Sequence, residues 1–160
     1  MTDPIAALIE KDRILDVVNR LFIGTDRRDW PAVMECFSDS VLFDMTSMAG
    51  GEPATLTPRQ IVEAWEQGLK DLAAIHHQVG NYLVTVKGNE ADAFCYGIAL
   101  HYLPRMSGQE TRRFVGSYDL HLRKAKDTWR IDVFRFNLKF IDGIVKLEAD
   151  ASRGPASEDS

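Results

Sequence analysis

Asp26 and His77 are the pair of side chains in this 160-residue sequence best suited to do chemistry together. Asp26 lies four residues after Phe22 and eight after Val18, so it extends the face formed by Ile14, Val17, Val18, Leu21, Phe22 and Thr25 at i, i+3, i+4, i+7 spacing. A carboxylate at the carbonyl end of a helix, facing an apolar interior, needs a partner. The alternative is that Asp26 frays into the following turn and is solvated. His76 and His77 open a run of alternating residues, so one ring points inward and the other outward. A lone inward histidine is usually a hydrogen-bonded core residue. Paired with a buried aspartate it becomes a general base: the carboxylate fixes its tautomer and stabilises the imidazolium, and the other ring nitrogen accepts a proton.

Further candidates surround this pair. His101 shares a strand face with the small residues Cys95, Gly97 and Ala99; it either reaches a ligand or caps its strand beside Pro104. Tyr118 alternates with apolar neighbours and should face inward, as a donor to a substrate oxygen or as a core tyrosine with a satisfied hydroxyl. Arg135, between Val133 and Asn137 on the face of Ile131, either binds an anionic intermediate or forms an interface salt bridge. Phe22 and Met45 complete the candidate lining of a substrate pocket.

The elements that must position these residues run helices first, strands after. Asp3-Pro4 supplies an N-cap and a proline at the first helical position, and the helix should end near Asp26-Arg27-Arg28, where cations suit the carbonyl end. Asp29-Trp30-Pro31 starts a second helix, to about Phe37. Val41 to Met45 reads as a strand, and residues 47–56 as a loop. Thr57-Pro58-Arg59-Gln60 is a capping box opening a third helix, with Ile61, Ala64, Trp65 and Leu69 on its apolar side. Four strands follow, at about 76–87, 91–103, 111–124 and 128–141, joined by turns at Gly88-Asn89, Pro104 to Gly108, and Lys126-Asp127. In the third of these, Phe114, Gly116, Tyr118, Leu120 and Leu122 face one way, and Ser117, Asp119, His121 and Arg123 the other.

This order predicts an α+β fold: a strongly bent, mainly antiparallel sheet packed against three N-terminal helices as a cone-shaped barrel enclosing one pocket. Residues 1–146 form the domain, and residues 147–160, with Gly154-Pro155, an acidic flexible tail. Phe134 and Phe136 are assigned to the outer sheet face, where covering them calls for a homo-oligomer.

Composition narrows the function classes. At 45% hydrophobic and 27% charged residues, with a mean hydropathy of −0.20, the chain is an ordinary globular one. The net charge is −5, of which the thirteen residues from Glu148 carry −3, so no basic stripe points to nucleic acid. No apolar run has the length of a membrane span, and Met1-Thr2-Asp3-Pro4 does not begin a signal peptide; the expected location is cytoplasmic. Cys36 and Cys95 lack the spacing of a disulfide framework or a zinc site. Gly50-Gly51 lacks the strand-to-helix context of a phosphate loop, and there is no GxSxG elbow. The expectation is a small-molecule substrate, with no metal and no organic cofactor.

The segment from Leu21 to Trp30, the segment Ile75-His76-His77-Gln78-Val79-Gly80-Asn81, and the late hairpin from Gly116-Ser117-Tyr118 through Trp129-Arg130-Ile131 together resemble the SnoaL-like branch of the nuclear-transport-factor-like superfamily. Within that branch they are most similar to the scytalone dehydratase and hexachlorocyclohexane dehydrochlorinase families, over about residues 5–142. The resemblance implies that Asp26 orients His77, which removes a proton from the substrate without metal or cofactor. It implies a second histidine assisting the leaving group, which His101 matches only with a one-residue gap. It also departs from the dehydratases: Thr25 and Met45 stand where they have tyrosines, and Tyr118 where they have a pocket asparagine. The implied function is a cofactor-independent lyase (dehydratase, dehydrohalogenase or retro-aldol type) acting on a small hydroxylated cyclic or aromatic compound. An isomerase of the same fold is the alternative, as is a non-catalytic binding or assembly module such as a dioxygenase small subunit. A trimer is favoured over a dimer.

Overall fold

The computed structural model describes residues 3–104 and 111–143. Helix α1 (Pro4–Arg27) starts where the Asp3 side chain accepts the backbone N–H of Ile5 at 3.0 Å. It stops where Arg28 turns left-handed, at φ 55°, and donates its N–H to the carbonyls of Gly24 and Thr25. α2 (Trp30–Glu35) follows at once, capped by Asp29. The tight approach of the two helices uses Gly24, where a Cβ would lie 3.0 Å from Val33 Cγ2.

β1 (Phe37–Asp44) begins four residues before the expected Val41, and α2 ends short of Phe37. The expected loop over 47–56 contains a one-turn helix, α3 (Thr46–Ala49), and a three-residue strand, β2 (Ala54–Leu56). α4 (Pro58–Leu69) carries the expected capping box. The remaining strands are β3 (Ala74–Lys87), β4 (Glu90–Tyr102), β5 (Thr111–Ala125) and β6 (Thr128–Gly143). The β5–β6 turn places Lys126 and Asp127 at φ 50° and 62°, the left-handed pair that a two-residue hairpin requires. Residues 105–108 of the expected Pro104–Gly108 turn, the boundary near 146 and the tail 147–160 lie outside the described residues.

The six strands form one curved, open sheet in the order β2-β1-β6-β5-β4-β3, antiparallel except for the β1–β6 pair. It is an α+β fold, with the sheet's concave face against the helices. The core between them holds Ile14, Val18 and Leu21 of α1, Ile61 of α4, and Leu122, Ile131 and Phe134 of the sheet. Among the described residues no helix is long and apolar enough to cross a membrane.

Bulges decide which side chains face inward. In β6, Leu122 of β5 pairs with Ile131 but His121 pairs with Val133, so Asp132 is an extra residue and the alternation changes phase. Ile131 and Phe134 therefore both face the core. This corrects the placement of Phe134 and Phe136 on the outer face: they are 1% and 3% exposed, inside. Arg135, between them, turns outward instead. The apolar side chains exposed on the strands include Leu83, Tyr96, Ile98 and Phe140. A second bulge, at Asn81 (φ 55°) in β3, lets both Val79 and Tyr82 pack inward.

Candidate functional site

Asp26 sits in the last turn of α1, beside β3. That strand is an edge of the sheet, so one side of its backbone has no strand partner. The Asp26 carboxylate fills the place: Oδ2 accepts the backbone N–H of His77 at 2.8 Å, and Oδ1 lies 2.6 Å from His77 Nδ1. Main chain and ring of one residue are thus held by one carboxylate. The helix end is itself anchored, because Arg28 Nη2 donates to the carbonyls of Leu69 and Leu72 at 3.2 and 2.6 Å. The Thr25 hydroxyl donates back to the Leu21 carbonyl at 2.8 Å, which removes a competing donor from the site.

Both side chains are largely buried, 12% exposed for His77 and 17% for Asp26. His76 points the other way, 65% exposed, with its Nδ1 4.0 Å from Asp26 Oδ2. The Phe22 ring covers His77 at a centroid distance of 5.3 Å. With Asp26 ionised, Nδ1 carries the proton it shares with the carboxylate, and Nε2 is left with an acceptor lone pair.

His77 borders a cavity of about 350 Å³ between the concave sheet face, the end of α1 and α4. Phe22, Trp65, Met48, Phe114, Phe134 and Phe136 make its apolar wall. Met45, His101, Tyr118 and Arg112 also line it. The floor depends on two glycines, since a Cβ at Gly97 would overlap the Tyr118 ring, and one at Gly116 would overlap Asn137 and crowd Phe136. Tyr118 lies against Phe22, Phe136 and Phe134 at 4.7, 4.9 and 5.6 Å. Burial, reinforced by Cys95 and Asp26, pushes the Tyr118 hydroxyl well above its usual range, so it is a neutral donor.

Cross-strand register orders the polar groups in rows. His77 is level with Ala99 and Phe114, and the next row holds Ile75, His101 and Arg112. His101 packs on the Phe114 ring at 4.9 Å, and its buried Nδ1 has no hydrogen-bond partner among the described residues. Burial first, then the charges of Arg112 and His77, push its pKa down to about 4, against a smaller opposing effect of Asp26. His101 is therefore uncharged at neutral pH.

Of the residues singled out from the sequence, the structure brings Asp26 and His77 into direct contact and places Phe22, Met45, His101 and Tyr118 on the same cavity. It places Arg135 elsewhere. The β6 bulge turns Arg135 onto the outer face, where its Nε donates to Asp44 Oδ2 at 2.9 Å, beside a shallow depression with Asp92, Asp119 and His121. Sequence reading missed Arg112. The signal was present: Arg112 precedes Phe114 by two, so it continues the inward set of β5 by one step.

The fold has many solved counterparts. A protein of Kribbella flavida, Kfla4162, is 21% identical, with 85% of this chain and 95% of that one covered at a TM-score of 0.81. A type 2 hexachlorocyclohexane dehydrochlorinase, LinA, is 13% identical, covering 97% and 99% at 0.75. A provisionally named scytalone dehydratase of Novosphingobium aromaticivorans is 14% identical, covering 85% and 88% at 0.73. No curated protein matches the chain in sequence. The family model of the SnoaL-like domain matches residues 6–135, and with the helix-backed curved sheet already described this places the chain in the SnoaL-like family of the nuclear-transport-factor-like superfamily.

Proposed function

We propose that the protein is a lyase that uses His77 as its general base, oriented by Asp26, on a small hydroxylated cyclic or aromatic compound. The observation that carries this reading is the 2.6 Å contact between His77 Nδ1 and Asp26 Oδ1 at the wall of a mostly apolar cavity. His77 Nε2 takes a proton from a substrate carbon. The released electron pair forms a carbon–carbon double bond as a hydroxyl or halide departs from the neighbouring carbon. The developing positive charge on the imidazole is balanced by Asp26 within the same hydrogen bond. Neutral Tyr118 and neutral His101 offer hydrogen bonds to the substrate oxygen, and Arg135, on the other face of the sheet, takes no part.

The base is supplied by the chain itself, so the reading requires no cofactor. Dehydratase and dehydrochlorinase chemistry among proteins of similar fold supports elimination over isomerisation, which would start with the same proton transfer. Self-association through the sheet surface bearing Leu83, Tyr96, Ile98 and Phe140 is part of the same proposal.

The test is Asp26→Asn, assayed against a panel of hydroxylated and halogenated ring compounds. The amide keeps an acceptor for the His77 main chain but not the charge that steadies the imidazolium. Turnover should fall by about 10²–10⁴-fold, the usual contribution of a positioned base, with little change in substrate affinity. An unchanged turnover number removes His77–Asp26 as the base. Binding of panel compounds without turnover in either protein favours a non-catalytic binding module.

A further inference from the structure

We infer that Ser47 is a positioning residue for this cavity: its hydroxyl pins α3 to β6 and so places Met48, the side chain that selects ring compounds by size. The inference rests on the cavity being the substrate site.

β1 and β6 run parallel, and their pairing ends where Asp44 is level with Arg135. In a parallel ladder one residue donates its N–H to a carbonyl of the neighbouring strand and accepts the N–H two residues further on. The next such rung on this side of β6 is the carbonyl of Phe136 and the N–H of Leu138, and β1 has already turned away. The Ser47 hydroxyl takes both places: it donates to the Phe136 carbonyl at 2.7 Å and accepts the Leu138 N–H at 2.9 Å. A hydroxyl can donate and accept at once, which is what the vacated rung requires.

Packing does not set the place of α3, since none of its four residues is buried. Its start is held by Asp44, whose Oδ1 accepts the Thr46 N–H at 3.0 Å and the Thr46 hydroxyl at 2.7 Å, while Arg135 Nε donates to Oδ2 at 2.9 Å. Past its end, Gly50 and Gly51 have φ of 72° and 78°, and nothing lies within 4 Å of where a Cβ would be. Between these two ends the Ser47 hydroxyl is the tie to the sheet. Met48, the next residue, lines the cavity and is 38% exposed, so it forms the lip. An unbranched thioether adapts to what it touches, so the lip stands where the backbone is held. The cavity, at about 350 Å³, has more than twice the roughly 150 Å³ that takes a single benzene ring. One ring therefore packs on the aromatic wall without Met48, and a fused pair reaches the lip.

The experiment compares phenol with 2-naphthol, by NMR titration followed at the Trp65 indole, in wild type, Ser47→Ala, Ser47→Thr, Met48→Ala and the double variant Ser47→Ala/Met48→Ala. The expected result is that wild type prefers 2-naphthol. Met48→Ala and Ser47→Ala each lower that preference by about threefold or more, the scale of a methylene or so of lost apolar contact, and leave phenol unchanged. Ser47→Thr, which keeps the hydroxyl, keeps the preference. The double variant falls no further than Met48→Ala, because the hydroxyl acts through the side chain it places. Equal affinities in wild type overturn the inference, as does a preference that survives in Ser47→Ala or in Met48→Ala. So does a double variant that multiplies the two single losses, or a loss in Ser47→Thr as large as in Ser47→Ala. Failure of wild type to bind either compound at millimolar concentration overturns the cavity as substrate site and the inference with it. Binding with an unchanged ratio in Ser47→Ala overturns the inference alone.

Discussion

His101 makes a measurable demand on stability in acid. In the unfolded chain the imidazole titrates near 6.5; in the fold, burial together with the charges of Arg112 and His77 brings it down to about 4. Protons therefore bind the unfolded chain first as the pH falls. The stability tied to a neutral His101 is complete above 6.5, declines through the interval, and is fully lost below 4, at a limit of about 3 kcal/mol. Between pH 7.5 and 4.5 the linkage relation gives a loss of about 2–3 kcal/mol, a large share of the roughly 5–15 kcal/mol that holds a domain together. Other groups titrate over the same range, so the test is a difference. Urea unfolding of wild type and His101→Gln is measured at both pH values. Glutamine has no proton to gain, so the wild type should lose about 2–3 kcal/mol more than the variant on acidification, roughly 1 M in urea midpoint. Parallel losses in the two proteins would refute the argument that His101 is buried uncharged beside Arg112.

Two further outcomes follow from the cavity and its floor. Gly97→Ala sets a methyl group against the Tyr118 ring; the strain should cost about 1–3 kcal/mol, read as a lowered urea midpoint. Cys36 and Cys95, buried and pushed up to about 11 and about 12 by desolvation, should both stay unreactive toward a disulfide reagent at pH 8 in the folded protein and react at once in urea.

The site was legible where its residues obey one period without interruption. Asp26 and His77 fall on the apolar phase of their own elements, but spacing alone leaves Asp26 open between a pairing and a solvated helix end; the family resemblance implies the pairing, and the structure has the two side chains 2.6 Å apart. Tyr118 was legible for the same reason within β5. Arg112 follows the same alternation, but a charged residue at the start of a strand resembles a solvated end, and only the cavity shows otherwise. Phe134, Phe136 and Arg135 were read inverted because one extra residue, Asp132, changes the phase of β6. Nothing in the local sequence marks that position; the bulge is a property of the pairing with β5. α3 and β2 are too short to show a period at all.

The edge position of β3 has a consequence for the integrity of the sheet. The outermost strand of a sheet offers its main-chain donors to any extended peptide that drifts past, the usual origin of runaway strand addition. Here the donor at His77 is already claimed, by the same carboxylate that grips the ring. Asp26 is thus both the partner of one imidazole and a cap on a seam, and the chain cannot discard it for one duty without forfeiting the other. Truncating it to alanine would expose the seam as well as release the ring, whereas asparagine still presents an oxygen to the main chain and keeps the seam covered.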